Sequence, residues 1–177
     1  MAIKQDYKAY GLNPLGLLLG LITLHTFWLV ALYRLSNWFY RKGTPIIPFI
    51  IKGIGVVLYS ADISPSAKIG PGFRIAHSVG IVVGENVVVG SNFELFHNTT
   101  LGGRDKELQG RKMPIVGDNV TVFAGATVLG PIMLGDNVSV GSNSVVTRDF
   151  TDNVIIAGIP AKVIGEVDKP HSLRSMG

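Results

Sequence analysis

A parallel β-helix, a triangular prism of stacked coils, is the fold this sequence predicts, and three observations predict it. Small aliphatic residues return every six positions: Ile63, Ile69 and Ile75; after a two-residue slip Val83, Val89, Leu95 and Leu101; and after a charged interruption Val116, Val122, Val128, Leu134, Val140 and Val146. Several units are near copies, among them Val83-Gly84-Glu85-Asn86-Val87, Val116-Gly117-Asp118-Asn119-Val120 and Leu134-Gly135-Asp136-Asn137-Val138, and a fixed short period marks a repeat architecture. Composition agrees: 22 of the 177 residues are glycine, 47% are hydrophobic and only 16% are charged, against a usual level of about 25%. Each hexad makes one short strand and one tight corner, so three hexads return the chain to its starting direction. The aliphatic residues then point inward and stack on the next coil at roughly 4.8 Å, and the small residue after each one is expected to let the backbone turn.

The prism occupies residues 60–165, behind a helical region at 1–59 and ahead of a tail at 166–177. Met1 to Tyr10 is polar and mixed in charge, and Gly11, Asn13 and Pro14 form a break. From Leu15 to Tyr33 no residue is charged, a length close to what a bilayer-crossing helix needs. The run nevertheless contains Thr23, His25 and Thr26 and is followed by Arg34, Arg41 and Lys42. Three readings stay open. A cleaved signal peptide is the weakest, because the start is not clearly basic and no small-x-small site closes the run. A true span is the second. The favoured reading is a helix that packs on the protein or lies against a membrane surface, since Trp28, Tyr33, Trp38, Phe39 and Tyr40 stand among the basic residues. The corresponding location is cytoplasmic, peripheral on the inner face of the membrane. Gly43, Thr44, Pro45 and Pro48 end this region, and Phe49 to Tyr59 is a second apolar element.

Several function classes fall away on residue content. With no cysteine, disulfides, thiolate metal sites and a cysteine nucleophile are excluded. The net charge of +4 favours anionic ligands mildly, but no basic stripe with interleaved aromatics supports nucleic acid. A zinc carbonic anhydrase on such a prism would need three histidine ligands, and the repeat holds only His77 and His97; no metal is expected. These two are each third in their hexads and three units apart, which puts them on one face, one coil apart. A histidine there suits a general base, since its pKa lies near working pH. The charged segment 104–112 cannot stack in the interior and is expected to be an extruded loop, either a merely solvated insertion or one that overhangs a binding cleft.

Asp62-Ile63-Ser64-Pro65-Ser66-Ala67-Lys68-Ile69-Gly70, then His77, Gly80-Ile81-Val82-Val83-Gly84-Glu85, Thr100-Leu101-Gly102-Gly103 and Ala157-Gly158-Ile159-Pro160-Ala161-Lys162 together resemble the serine acetyltransferase branch of the hexapeptide-repeat acyltransferases. The likeness runs from about Asp62 to Gly165 and extends weakly to His25 through Gly43. It implies a left-handed parallel β-helix, a homotrimer and acetyl-CoA bound between neighbouring prisms. On the same resemblance His77 is the catalytic base and Asp62 the carboxylate that orients it, with direct attack on the thioester and neither metal nor acyl-enzyme. Glu85 and Lys112 match acceptor-site positions, and His97 is a further candidate for an acceptor hydroxyl. Gly103, Ala124, Gly125, Arg148 and Lys162 are the positions to which the likeness points for acetyl-CoA.

Two departures touch the acceptor. The family has an aspartate before the catalytic histidine where this chain has Ala76, and its Arg-His-Pro segment aligns without gaps on Lys112-Met113-Pro114. An amino acid needs both of its charges paired when desolvated, so these losses weigh against free serine. A short, apolar N-terminal region fits a saccharide acceptor, lipid-linked or free, in exopolysaccharide or capsule biosynthesis. Serine O-acetylation in cysteine biosynthesis is the alternative, and a non-catalytic scaffold a further one.

Overall fold

The structure is a computed structural model that describes residues 2–11, 25–104, 107 and 110–168. Its prism has three faces. The first face stacks β1 (Ala61–Ile63), β4 (Ile81–Val83), β7 (Thr100–Gly102), β10 (Thr127–Leu129) and β13 (Val145–Val146), all parallel. The second stacks β2 (Lys68–Ile69), β5 (Val88–Val89), β8 (Ile115–Val116) and β11 (Met133–Leu134), and Phe150 bridges to Leu134 above them. The third stacks β3 (Arg74–Ile75), β6 (Glu94–Leu95), β9 (Thr121–Val122), β12 (Ser139–Val140) and β14 (Val154–Gly158), which β15 (Ala161–Glu166) joins in antiparallel. The hexad starts form the interior as the period requires: Ile75, Leu95, Leu101, Val122, Val128, Val140 and Val146 have no exposed surface. Phe73 and Phe93 stack inside the prism at 5.9 Å.

Register locates the irregularities. Val82 pairs with Thr100 and Thr127 with Val145, a regular coil in each case, whereas Ala61 pairs with Ile81, two residues further on. The slip therefore sits in the corner between β3 and β4, the corner that carries His77. The longer step from Thr100 to its partner Thr127 contains the extruded segment.

The corners turn differently from the expectation. Asn86, Asn92, Asn98, Asn119, Asn137 and Asn143 take the left-handed conformation, with φ between 53 and 59°. Asparagine tolerates that region and also uses its amide: Asn92, Asn119, Asn137 and Asn153 hydrogen-bond in a ladder at 3.0, 3.1 and 2.8 Å. The glycines after the hexad starts serve close approach instead. A Cβ on Gly70 would stand 2.5 Å from the Gly90 carbonyl oxygen, and one on Gly90 would collide with the Asp118 side chain.

Among the described residues three helices precede the prism: α1 (Ala2–Ala9), α2 (His25–Arg41) and α3 (Ile47–Tyr59). Of the uncharged run from Leu15 to Tyr33, the part before His25 lies outside the described residues. Among the described residues no helix is long and apolar enough to cross a membrane. The first coil has no coil beneath it, so β2 and β3 would leave backbone groups unpaired, and α1 and α2 supply the partners. Tyr33 Oη donates to the Ala67 carbonyl at 2.9 Å and accepts from Ile69 N–H at 3.2 Å. Tyr10 Oη does the same for Ile75, accepting from its N–H at 3.0 Å. Arg34 donates to the carbonyls of Ile69 and Gly70 and forms two hydrogen bonds to Asp6, at 2.8 and 2.9 Å; Asp6, fully buried, accepts a third from Phe73 N–H. Leu29, Val30 and Tyr33 of α2 extend the core downward.

At the other end the third face continues past Thr151 in β14, which turns back into β15. Residues 169–177 of the expected tail lie outside the described residues.

Candidate functional site

The corner between the third and first faces forms one column. The pairings Ile75 with Leu95 and Leu95 with Val122 place His77, His97 and Ala124 one above another. The His77 and His97 rings meet edge to face with centroids 5.7 Å apart. Phe96 contacts the His77 ring at 6.3 Å and is itself packed on Phe123 at 5.0 Å. Gly125 N–H donates to the His97 carbonyl at 3.0 Å, which ties the third coil to the second. His77 is exposed because the two extra residues push its corner outward, and His97 is half-buried. Gly80 closes this longer corner at φ 74° and donates to the Ser60 carbonyl at 2.9 Å. The result is an accessible imidazole propped by a second imidazole and an aromatic pair, with small residues above it.

The corner between the first and second faces forms another column. Glu85 lies on it in the second coil and the extruded segment in the third. Between them is a cleft of about 460 Å³ lined by Glu85, Asn86, Val88, Arg111, Lys112 and Met113, among others. The Met113 side chain lies against Gly84 and Gly103 and packs on the core. Lys112 is exposed. Arg111 is the residue the sequence reading missed: its Nη1 is buried and makes no hydrogen bond among the described residues. The available signal was its place one position before the lysine that an ungapped alignment selects. Of the segment 104–112, residues 105, 106, 108 and 109 lie outside the described residues.

These columns stand at opposite ends of the strands of the first face, and a three-residue strand alone spans roughly 10 Å. One chain therefore brings His77 to His97, and Glu85 to Arg111 and Lys112, but does not bring the two groups together. Asp62 projects from β1 on the face between them. Its Oδ1 is held by Lys52 Nζ at 2.8 Å, and no hydrogen bond joins it to His77. The other expected positions are dispersed: Ala124 and Gly125 on the histidine column, Gly103 beside Met113, Arg148 with its guanidinium over the Phe150 ring at 5.1 Å, and Lys162 exposed on β15. Chemically, the histidine column offers an accessible proton acceptor, and the cleft offers the carboxylates of Glu85 and Glu107 and the cations of Arg111 and Lys112 to a ligand carrying both signs of charge.

Known proteins resemble this chain in sequence and in fold. The family described as bacterial transferase hexapeptide (six repeats) matches residues 113–148. A serine acetyltransferase of Synechococcus elongatus is 38% identical over 138 residues, covering 78% of this chain and 56% of the relative, so the chain spans little more than half of that protein. A serine acetyltransferase of Brucella abortus, solved with coenzyme A, superposes with a TM-score of 0.84 at 31% identity, covering 94% of this chain and 67% of its own. One from Neisseria gonorrhoeae, solved with serine, superposes at 0.83 with 30% identity, covering 93% and 68%.

These likenesses overturn the expected saccharide acceptor and its place in exopolysaccharide or capsule biosynthesis, since the relatives are named for serine. The physical reason lies in the cleft. Ala76 and Met113 remove two polar partners, but Arg111, half-buried with its Nη1 fully covered, lines the same cleft as Glu85.

Proposed function

The chain belongs to the serine acetyltransferase-like branch of the hexapeptide-repeat acyltransferases, and from that premise we propose that it transfers acetyl from acetyl-CoA to the hydroxyl of serine. The observation that carries this acceptor is the Arg111 Nη1, buried and without a hydrogen-bond partner among the described residues, in the cleft it shares with Glu85. A free amino acid brings a carboxylate and an ammonium, and each is costly to desolvate unless paired. Arg111 meets the first and Glu85 the second, and Lys112 at the mouth adds attraction for the carboxylate.

In the proposed reaction His77 takes the proton of the serine hydroxyl while that oxygen bonds to the thioester carbonyl carbon. The C–S bond then breaks, the thiolate leaves with the electron pair, and the proton on His77 passes to it. Such a positioned base contributes about 10² to 10⁴ in rate. Asp62 orients the ring and stabilises the imidazolium through Oδ2, the oxygen that Lys52 does not hold. His97 steadies the His77 ring from the coil above and faces the acceptor. The small residues Ala124 and Gly125 leave room along the column for the thioester arm, Gly103 lies at the start of the extruded segment, and Arg148 and Lys162 supply cations for the phosphates of the donor.

Because His77 and the Glu85–Arg111 cleft sit at opposite edges of one face, a second copy completes the site: the histidine column of one prism faces the cleft of its neighbour in a homotrimer.

The test is thiol release from acetyl-CoA by the purified chain with serine, with saccharides as comparison acceptors, and with His77→Ala. Turnover with serine that falls by about 10² or more in the variant is the expected result. Binding of acetyl-CoA without turnover on serine would overturn the acceptor, and unchanged turnover in the variant would overturn the base.

A further inference from the structure

We infer that α3 and the end of α2 form a docking surface for an anionic phospholipid bilayer. α3 is apolar on both sides. Its inner side, with Pro48, Ile51 and Gly55, is buried. Its outer side carries Ile50, Ile54, Val57 and Leu58, with relative exposures of 58, 42, 81 and 66%, and the N-cap residue Ile46, 64% exposed, continues it. These residues recur at helical spacing and so form one stripe, and Ile50, Gly53, Ile54, Val57 and Leu58 line a shallow open groove on it. Contiguous exposed apolar surface of this kind marks an interaction site.

Charge identifies the occupant. Between Asp6 and Asp62 the chain has no acidic residue, while it has Lys8, Arg34, Arg41, Lys42 and Lys52. Arg34 is paired with Asp6, and Lys52 with Asp62. Arg41 and Lys42 are exposed at the end of α2, where Trp38 and Tyr40 are also exposed and Lys42 lies over the Trp38 ring at 5.9 Å. Two copies meeting through this surface would bring cations against cations, which disfavours the pairing. An anionic headgroup layer meets the same cations favourably, accepts the tryptophan and tyrosine at its boundary, and takes the apolar stripe beneath.

The experiment is co-sedimentation of the full chain with vesicles of phosphatidylglycerol and phosphatidylcholine, and with vesicles of phosphatidylcholine alone. Partition at least about tenfold stronger on the anionic vesicles, weakening as salt is raised, is the expected result. Arg41→Gln with Lys42→Gln lowers partition about 25-fold, and Val57→Glu lowers it at least as far. Val57 is 81% exposed, so that variant keeps its fold, which circular dichroism and acetyl transfer check. Equal or absent partition on both vesicles overturns the inference. So does a Val57→Glu variant whose sedimentation velocity changes while its vesicle binding does not, because the stripe would then be an interface between copies.

Discussion

The rings of His77 and His97 stand 5.7 Å apart, edge to face, on consecutive coils of one corner. An aromatic pair of this kind is worth about 0.5–1.5 kcal/mol, so His97 orients its neighbour more than it replaces it. His97→Gln is expected to reduce kcat about three- to tenfold and to leave thermal stability close to wild type. His77→Ala is expected to cost far more, and kcat measured at saturating acetyl-CoA separates the two.

Asp62 is shared between a visible partner and a proposed one. Its ion pair with Lys52 is partly solvent-exposed, at 45% for the carboxylate side chain and 29% for the lysine, and such pairs are worth about 0–1 kcal/mol. Lys52→Met is therefore expected to leave stability within about 1 kcal/mol and kcat near wild type. Asp62→Asn is expected to lower kcat at least about tenfold, towards the loss expected on removing the base. Equal effects of the two substitutions on kcat would show that the carboxylate serves α3 alone.

Asp6 and Arg34 form the buried link between α1, α2 and the first coil, with Asp6 fully buried. Removing one partner of such a pair strands the other charge. Asp6→Ala is expected to destabilise the protein by about 3–5 kcal/mol, read from denaturant unfolding.

Alkaline pH acts on the same region. Burial pushes the Tyr10 hydroxyl up to about 12, and it raises that of Tyr33 as well. A phenol whose folded pKa exceeds its unfolded value of about 10 holds its proton more tightly in the folded state. Its contribution is complete below pH 10 and is lost as pH rises through about 12. Unfolding free energy is expected to fall across that window, and Tyr10→Phe is expected to reduce the slope relative to wild type.

Gly90 tests the close approach between coils. Its added Cβ would fall 2.7 Å from the Gly117 carbonyl carbon. Gly90→Ala is expected to destabilise by about 1–3 kcal/mol, although its φ is not left-handed.

The six-residue period alone was enough to read the prism, its interior and the register of His77 on His97, because a repeat converts sequence distance directly into height. What the period does not encode was not legible. The partners Asp6 and Arg34 are far apart in sequence and meet only through the packing of α1 and α2 on β2 and β3. The glycines after Val89 and Val116 looked like corner-turners, yet asparagines two positions later take that role, because the limit on the glycines comes from the next coil. Arg111 escaped because an insertion breaks the register, and burial of its Nη1 is a property of the folded cleft rather than of the period.

The two ends of the prism are closed by different means. Below, side chains of Tyr10, Tyr33 and Arg34 occupy backbone groups of the first coil; above, β15 runs antiparallel to the strands of the third face. A stack of parallel strands is otherwise its own template, able to add the bottom of one molecule to the top of another and grow end to end as a fibre. On the third face neither end presents a matching template, which limits growth along that face. A chain stripped of α1 and α2 would regain a sticky end, and its failure would be polymerisation before it was unfolding.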